Sequence, residues 1–210
     1  MTDNPVFCGL AVIFTFLFLL SVRSFFKILP SLWDCILRWK GSLDLEDSLQ
    51  MSGSRDLIAV ILFAPLCMVA YSHDLYHPDF MDALRPELGF AALCGCMLAY
   101  LILRSFLDWQ LEMGSYRTKT FTAANRSFRN YMTIVFIILL PLGAACRVLT
   151  ENEELTRSIL LHVTALTYIF HIYRRGQIFA SACNPFTTFL YLCGLELLPT
   201  TVLVLSAKLL

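Results

Sequence analysis

Six long runs of residues carry almost no charge, and this feature limits the possible folds of the chain more than any other. In the hydrocarbon of a bilayer every backbone N–H and C=O group must be paired within the protein, so a spanning segment of this kind must be a helix. Several runs are shorter than the ~20 residues that cross a bilayer. Flanking Arg and Lys side chains can bury their stems and keep their charges in water, so each helix can extend by a turn. The runs cover residues 4–22, 57–72, 88–103, 130–146, 158–173 and 176–207.

The composition supports a membrane protein. Of the 210 residues, 58% are hydrophobic and 15% are charged, whereas a soluble domain is about 25% charged. The net charge is zero, so nothing indicates a nucleic acid partner. About six helices use up this length and leave no room for a separate soluble domain.

We therefore predict an all-α fold, a polytopic transmembrane helical bundle that forms a single membrane domain over residues 1–210. Five spanning helices would result if the second run were only re-entrant. Between the first two helices, Trp33 and Trp39 lie among charges that forbid spanning, which predicts an amphipathic helix along the cytoplasmic interface or a docking surface for a partner. The predicted helices cover about 4–24, 57–73, 87–113, 127–149, 153–175 and 185–207, with the amphipathic segment at about 31–50.

Several residues mark the predicted helix ends. Asn184 suits an N-cap, and Pro185 suits the first helical position, where no N–H is needed. The segment from Thr150 to Glu153 has the pattern of a capping box. Gly176 is expected to end the fifth helix. Two prolines inside the runs, Pro141 and Pro199, predict kinks.

The distribution of basic residues predicts the orientation. The first, third and fifth connections hold twelve of the sixteen Lys and Arg residues, and the other side holds four. Basic residues are enriched on the cytoplasmic side. Both termini are therefore expected outside.

Two stretches resemble an uncharacterised integral membrane family of Bacteroidetes. They are Ser127-Phe128-Arg129-Asn130-Tyr131 and the C-terminal sequence from Asn184 through Phe189-Leu190-Tyr191-Leu192-Cys193-Gly194-Leu195-Glu196-Leu197-Leu198-Pro199. The resemblance covers helices two to six. It implies a bacterial inner membrane, in which the predicted orientation places both termini on the periplasmic side, and it supplies no activity.

Glu196 is the candidate for chemistry, because a carboxylate inside a membrane is costly unless it is neutralised or paired. A functional interpretation makes it a proton or ion site, and a structural one makes it a hydrogen-bonded group that locks helix packing. We expect it to face the bundle and to bond the fifth or the fourth helix. The candidate intramembrane polar partners are His162, His171, Tyr168, Thr164, Thr167 and Arg147.

Histidines suggest weaker sites. His73 and His77 are four residues apart and, with Asp74, Asp79 or Asp82, have ligand types suited to a divalent cation. Pro78 can end the helix and spoil that geometry. A haem would instead pair His73 with His162. We predict no cofactor, since neither this spacing nor any nucleotide-binding or catalytic motif gives a specific signal.

Three functions fit the sequence, in this order. The first is a non-catalytic subunit or assembly factor of an inner-membrane complex, with a protein partner and the lipid bilayer as its surroundings. The second is a small proton- or ion-coupled transporter centred on Glu196. The third is a membrane enzyme or haem protein that uses the histidines.

The predicted orientation can be tested by cysteine labelling on a background without the eight native cysteines. Single cysteines at Lys119 and at Asp82 are expected to react with an impermeant reagent from opposite sides of the membrane, because they lie in consecutive connections. Labelling of both positions from outside would contradict the orientation.

Overall fold

Six long apolar helices make up the computed structural model of the chain, which describes residues 5–38, 40–41, 45, 48–112, 118–149, 152–181 and 183–209. All regular structure in these ranges is helical, and each long helix has the length and hydropathy to cross a membrane. This confirms the predicted all-α fold with six candidate spans. The helices are α1 (Pro5–Leu37), α2 (Leu49–Ser72), α3 (Pro86–Glu112), α4 (Thr118–Leu149) and α5 (Glu153–Ala180). The sixth span consists of α6 (Pro185–Leu192), a π-helical turn (Cys193–Leu197) and α7 (Leu198–Leu209).

The start of the sixth span follows the sequence signals. Asn184 is the N-cap residue of α6 in an extended conformation, and Pro185 occupies the first turn. The start of α5 differs from the predicted capping box. The side-chain carbonyl of Asn152 accepts a hydrogen bond from the Leu155 N–H at 3.2 Å, so Asn152 caps this helix. Thr150 and Glu151 lie outside the described residues.

The first helix is longer than the sequence predicted. We expected it to stop near residue 24 and a separate amphipathic helix to start near residue 31, but α1 runs without a break to Leu37. The charges of Arg23 and Lys27 mark a change in polarity along a helix and do not end it, because both residues are good helix formers. In the rest of the predicted amphipathic segment, Trp39 and residues 42–44 and 46–47 lie outside the described residues, and Leu49 already begins α2.

The fifth helix also extends past its predicted end. Gly176 does not cap α5, which continues to Ala180. Ile178 and Phe179 are fully buried, and this burial stabilises the extra turn. A Cβ at Gly176 would lie 3.2 Å from Leu192 Cδ1, so glycine at this position allows α6 to approach closely.

The chain divides into two compact units. Unit 1 contains Met1–Leu75 and Arg129–Thr167, and unit 2 contains Tyr76–Phe128 and Tyr168–Leu210. One boundary falls after the end of α2, between Leu75 and Tyr76, and the other two fall inside α4 and α5. The short 3₁₀ turn Asp79–Ala83 belongs to unit 2.

Unit 1 has an apolar core in which α1 packs against α2. Ile28 and Leu32 from α1 meet Ile58 and Leu62 from α2, and Phe136 of α4 completes the cluster. Such residues recur at helical spacing and bury one face of each helix. Near one end of α2, the ring of His73 occupies space that Gly143 leaves open: a Cβ at Gly143 would lie 3.0 Å from His73 Nε2.

The stability of the fold should depend on the protonation of His73. Burial and, after it, the positive charge of Arg147 lower the pKa of His73, against the opposite effect of Asp74 and Glu153. The unfolded chain has an ordinary histidine pKa of about 6.5. As the pH falls from above this value towards the lower folded-state pKa, the unfolded state takes up a proton that the folded state does not, and the free energy of unfolding falls.

We therefore expect His73→Gln to show a smaller loss of thermal stability than the wild type between neutral and mildly acidic pH. Unfolding of the detergent-purified proteins, followed by circular dichroism at several pH values, measures this. His162→Gln is the control, because His162 is exposed. Identical pH slopes for His73→Gln and the wild type would contradict the prediction.

Candidate functional site

A stripe of polar residues runs along α3 at intervals of four. Cys96, Tyr100, Arg104 and Asp108 share this spacing, which places them along one helix face. Three of them bond to α5 or to the sixth span. The interval from Cys96 to Asp108 corresponds to about 18 Å along the helix axis. The stripe therefore brings polar groups deep into an otherwise apolar span.

Glu196 lies at the centre of this polar region. Its side chain is fully buried. Arg104 Nη1 donates a hydrogen bond to Glu196 Oε2 at 2.6 Å, and Arg104 Nη2 donates to Oε1. Arg175 Nη1 also donates to Oε1. His171 Nε2 lies 3.2 Å from the same oxygen and can donate in its Nε2–H tautomer.

Arg175 links Glu196 to two further side chains. Its Nη2 donates to Asp108 Oδ1 at 2.9 Å and to Asn125 Oδ1 at 2.8 Å. Arg175 is fully buried, whereas the side chain of Asp108 is 14% exposed. Arg175 therefore joins the buried carboxylate to one that reaches the surface of unit 2.

The aromatic ring of Phe128 lies beside Arg104. The guanidinium of Arg104 stacks over the ring of Phe128 with its central carbon 3.7 Å from the ring centroid. The His171 ring meets Phe128 edge-on at 5.8 Å. Cation–π contacts of this kind strengthen when water is excluded, so Phe128 holds the guanidinium in place without a further negative charge.

The charges of the cluster balance. Arg104 and Arg175 contribute two positive charges, and Glu196 and Asp108 contribute two negative ones. A single unpaired charge would be strongly unfavourable in a low-dielectric interior. With a neutral His171 the four groups sum to zero, which is what makes their burial tolerable.

The backbone around Glu196 is locally widened. The N–H of Leu198 bonds to the Cys193 carbonyl, five residues earlier, as in a π-helix. Pro199 follows at once, has no N–H, and its ring clashes with the carbonyl four residues before it. A π turn relieves such crowding, and isolated π turns are frequent at functional sites.

A hydroxyl network adjoins this turn. The Tyr168 hydroxyl donates to the backbone carbonyl of Glu196 at 3.0 Å and lies 2.5 Å from Thr200 Oγ1. The Tyr100 hydroxyl lies 3.3 Å from the same Thr200 oxygen. Further along unit 2, the Tyr76 hydroxyl lies 2.8 Å from Ser206 Oγ. Hydrogen-bonded polar groups thus occur at several positions along the helices of unit 2, from Asp108 to Ser206.

Only some of the polar residues predicted to surround Glu196 contact it. Glu196, His171 and Tyr168 come together, as expected for a carboxyl that bonds the fifth helix. His162 is exposed on α5, and its Nδ1 lies 2.6 Å from the Ser158 carbonyl of its own helix. Arg147 is exposed on α4 and takes no part in the Glu196 cluster. The hydroxyls of Thr164 and Thr167 donate to backbone carbonyls of their own helix.

The two arginines were not among the candidate residues. Flanking Arg104 and Arg175 were expected to reach water at helix ends, but both are buried. The interval of four that links Arg104 with Tyr100 and Asp108 is the signal that could have identified the first. A similar spacing marks Arg175, because Tyr168, His171 and Arg175 recur at intervals of three and four along α5.

The four-residue spacing of His73 and His77 does not place them on one helix face, because α2 ends at Ser72, before both residues. Asp74 follows in a left-handed conformation with φ of 48° and is exposed. Within the described residues, no group of three His, Cys, Asp or Glu side chains is placed to hold a metal ion.

A double-mutant cycle should reveal strong coupling between Arg104 and Glu196. Arg104→Met and Glu196→Leu each leave an unbalanced buried charge, and breaking such a pair costs about 3–5 kcal/mol. The double variant restores neutrality, so its loss of stability should fall short of the sum by about 0.5–3 kcal/mol. Reversible unfolding in mixed detergent micelles measures these differences.

The pair of Asp56 and Arg129 in unit 1 is the matched control. It is also an ion pair between helices, but the Arg129 side chain is 48% exposed, and exposed pairs contribute at most about 1 kcal/mol. The cycle of Asp56→Asn and Arg129→Gln should therefore be nearly additive. Equal coupling in the two cycles would show that burial does not strengthen the Arg104–Glu196 pair.

Comparison with protein-family models, curated proteins and solved structures finds no match to this chain. What the composition and the fold establish is a polytopic membrane protein with six candidate spans.

Proposed function

We propose that this protein is a small proton- or ion-coupled membrane transporter centred on Glu196. The observation that supports this is the meeting of four charged side chains and His171 inside unit 2. Ionisable residues within membrane helices are costly and commonly belong to ion pathways or proton relays.

The number of charges favours a functional role over helix locking alone. Well-packed apolar side chains often replace a buried ion pair with no loss of stability. Stable packing of α3 and α5 against the sixth span therefore does not require two arginines and two carboxylates. A site that binds and releases an ion does require charges that can exchange partners.

The roles of the individual groups follow from their chemistry. Arginine does not release its proton in proteins, so Arg104 and Arg175 hold and orient negative groups. Glu196 and His171 are the members that can take up and release a proton. The hydroxyls of Tyr168, Thr200 and Tyr100 lie close to Glu196 and form a chain of hydrogen bonds within unit 2.

A second candidate function, a non-catalytic subunit or assembly factor of a membrane complex, is favoured by a different observation. Glu196 accepts hydrogen bonds from two arginines on two neighbouring helices, and its charge is fully compensated. A carboxylate held in this way suits a permanent fastening of the helices. Such a protein would act through its contacts with a partner.

We also propose a bacterial inner membrane and an outward position of both termini. The basic asymmetry of the connections supports the orientation. Arg55, Arg104 and Arg175 are buried and do not act as loop charges, yet without them the count is still nine against four. The family resemblance of the C-terminal sequence supports the bacterial membrane.

Reconstitution into liposomes tests the transport function. Ion or proton flux is followed with pH-sensitive and halide-sensitive dyes for the wild type, Glu196→Gln and the control Glu154→Gln, which changes an exposed residue of α5. Glu196→Gln should lose flux by tenfold or more, because glutamine keeps the size but cannot exchange a proton, and circular dichroism checks that this variant is folded before its flux is compared. Glu154→Gln should resemble the wild type.

Two outcomes would contradict transport. One is the absence of flux for every ion in wild-type liposomes. The other is equal flux through the wild type and Glu196→Gln. Co-purification of the flux-inactive wild type with a stoichiometric membrane partner would favour the subunit function instead.

A further inference from the structure

The positive groups around Glu196 have the arrangement of an anion-binding site. One oxygen, Oε1, faces Arg104 Nη2, Arg175 Nη1 and His171 Nε2. The other oxygen faces Arg104 Nη1. The planar fork of arginine matches a carboxylate in this way. The donors come from α3 and α5, while the acceptor comes from the sixth span.

The guanidinium groups of the cluster also offer more hydrogen-bond donors than the acceptors around them use. Arg175 is fully buried, yet its Nε has no hydrogen-bond partner among the described groups. Leaving a buried donor unsatisfied is unfavourable, and it is notable in a guanidinium that already contacts Glu196, Asp108 and Asn125. An anion that takes the place of the Glu196 carboxylate could use this spare donor.

Without the carboxylate of Glu196 the site would carry a net positive charge. Arg104 and Arg175 would then face only Asp108, which leaves one uncompensated positive charge in a buried position. An unpaired buried charge is strongly unfavourable, so the region should recruit a monovalent anion from solution. The π turn at Cys193–Leu197 lies at the point where the Glu196 side chain would have to move.

We propose that Arg104, Arg175 and His171 form a binding site for a small monovalent anion, a carboxylate or a halide, and that the Glu196 carboxylate occupies this site in the structure. The inference builds on the proposed function, because this anion is then the ion that the protein moves. Glu196 and the anion compete for the same donors. The site is selective for a single negative charge, since a single charge restores neutrality.

Chemical rescue of Glu196→Ala tests the site directly. This substitution removes the equivalent of one acetate from the side chain, so acetate, formate and chloride should each raise its melting temperature by several degrees, with a rise that continues as the anion concentration exceeds the Kd. A ligand that binds only the folded state stabilises it in proportion to the logarithm of its concentration. The wild type should respond weakly, since Glu196 already fills the site.

Matched controls separate binding from general salt effects. Glu154→Ala removes an exposed glutamate from α5 and should respond like the wild type. Methylammonium chloride and sodium chloride at equal chloride concentration should act equally on Glu196→Ala, because the anion is the ligand. Equal responses of Glu196→Ala and Glu154→Ala to acetate and to chloride would overturn the proposal.

A second variant covers the case in which Glu196→Ala does not fold. Glu196→Gln keeps the size of the side chain and leaves the same excess charge, so ³⁵Cl line broadening should appear and be displaced by acetate. Glu196→Gln combined with Arg175→Gln is neutral and should lose the broadening. Persistence of the full broadening in the double variant would overturn the site. Competition between the probes distinguishes the sources: stronger binding of acetate indicates a carboxylate ligand, and stronger binding of chloride indicates a halide.

The failure of the site and the failure of transport are distinguishable. Rescue of Glu196→Ala by anions with no flux through wild-type liposomes would support the site and refute transport. Flux through the wild type with no anion effect on either Glu196 variant would refute the site and leave transport of another ion.

Discussion

The arrangement of unit 2 depends on the pairing of Glu196 with Arg104 and Arg175. In hydrocarbon these groups cannot be solvated by water, so each must find its partner within the protein. The partners lie on three different parts of the chain, and the requirement that they meet fixes the register of α3, α5 and the sixth span. Asp108, Asn125 and Phe128 then complete the surroundings of the two guanidinium groups.

Unit 1 is stabilised in a different way. Its core consists of apolar side chains from α1, α2 and α4. Apolar packing of this kind has no strict partners and tolerates substitution by side chains of similar volume. Unit 1 also buries one charge, Arg55, which pairs with Asp56. The larger cluster of two arginines, two carboxylates and His171 lies in unit 2, where we propose that an ion binds.

The π turn of the sixth span is also part of the surroundings of Glu196. Pro199 prevents a regular helical hydrogen bond, and the π turn just before it widens the backbone at Glu196. The Tyr168 hydroxyl supplies a donor to the Glu196 carbonyl, so the backbone remains satisfied in spite of the irregularity. The Glu196 carboxylate therefore extends from a π-helical turn whose backbone is hydrogen-bonded to Tyr168 of α5.

The sequence by itself indicated the all-α fold, about six candidate spans and the burial of Glu196, because charge-free runs can be stable in a bilayer only as helices and an intramembrane carboxylate must avoid lipid. It also located the start of α6 through Asn184 and Pro185, since capping is a local property. It did not determine where α1 and α5 end, because a charge near a helix end has the same appearance whether its side chain reaches water or a buried partner. Arg104 and Arg175 show this most clearly: only the tertiary structure decided that they pair with Glu196, 92 and 21 residues away, since the three-dimensional packing of helices decides which distant charges can compensate each other.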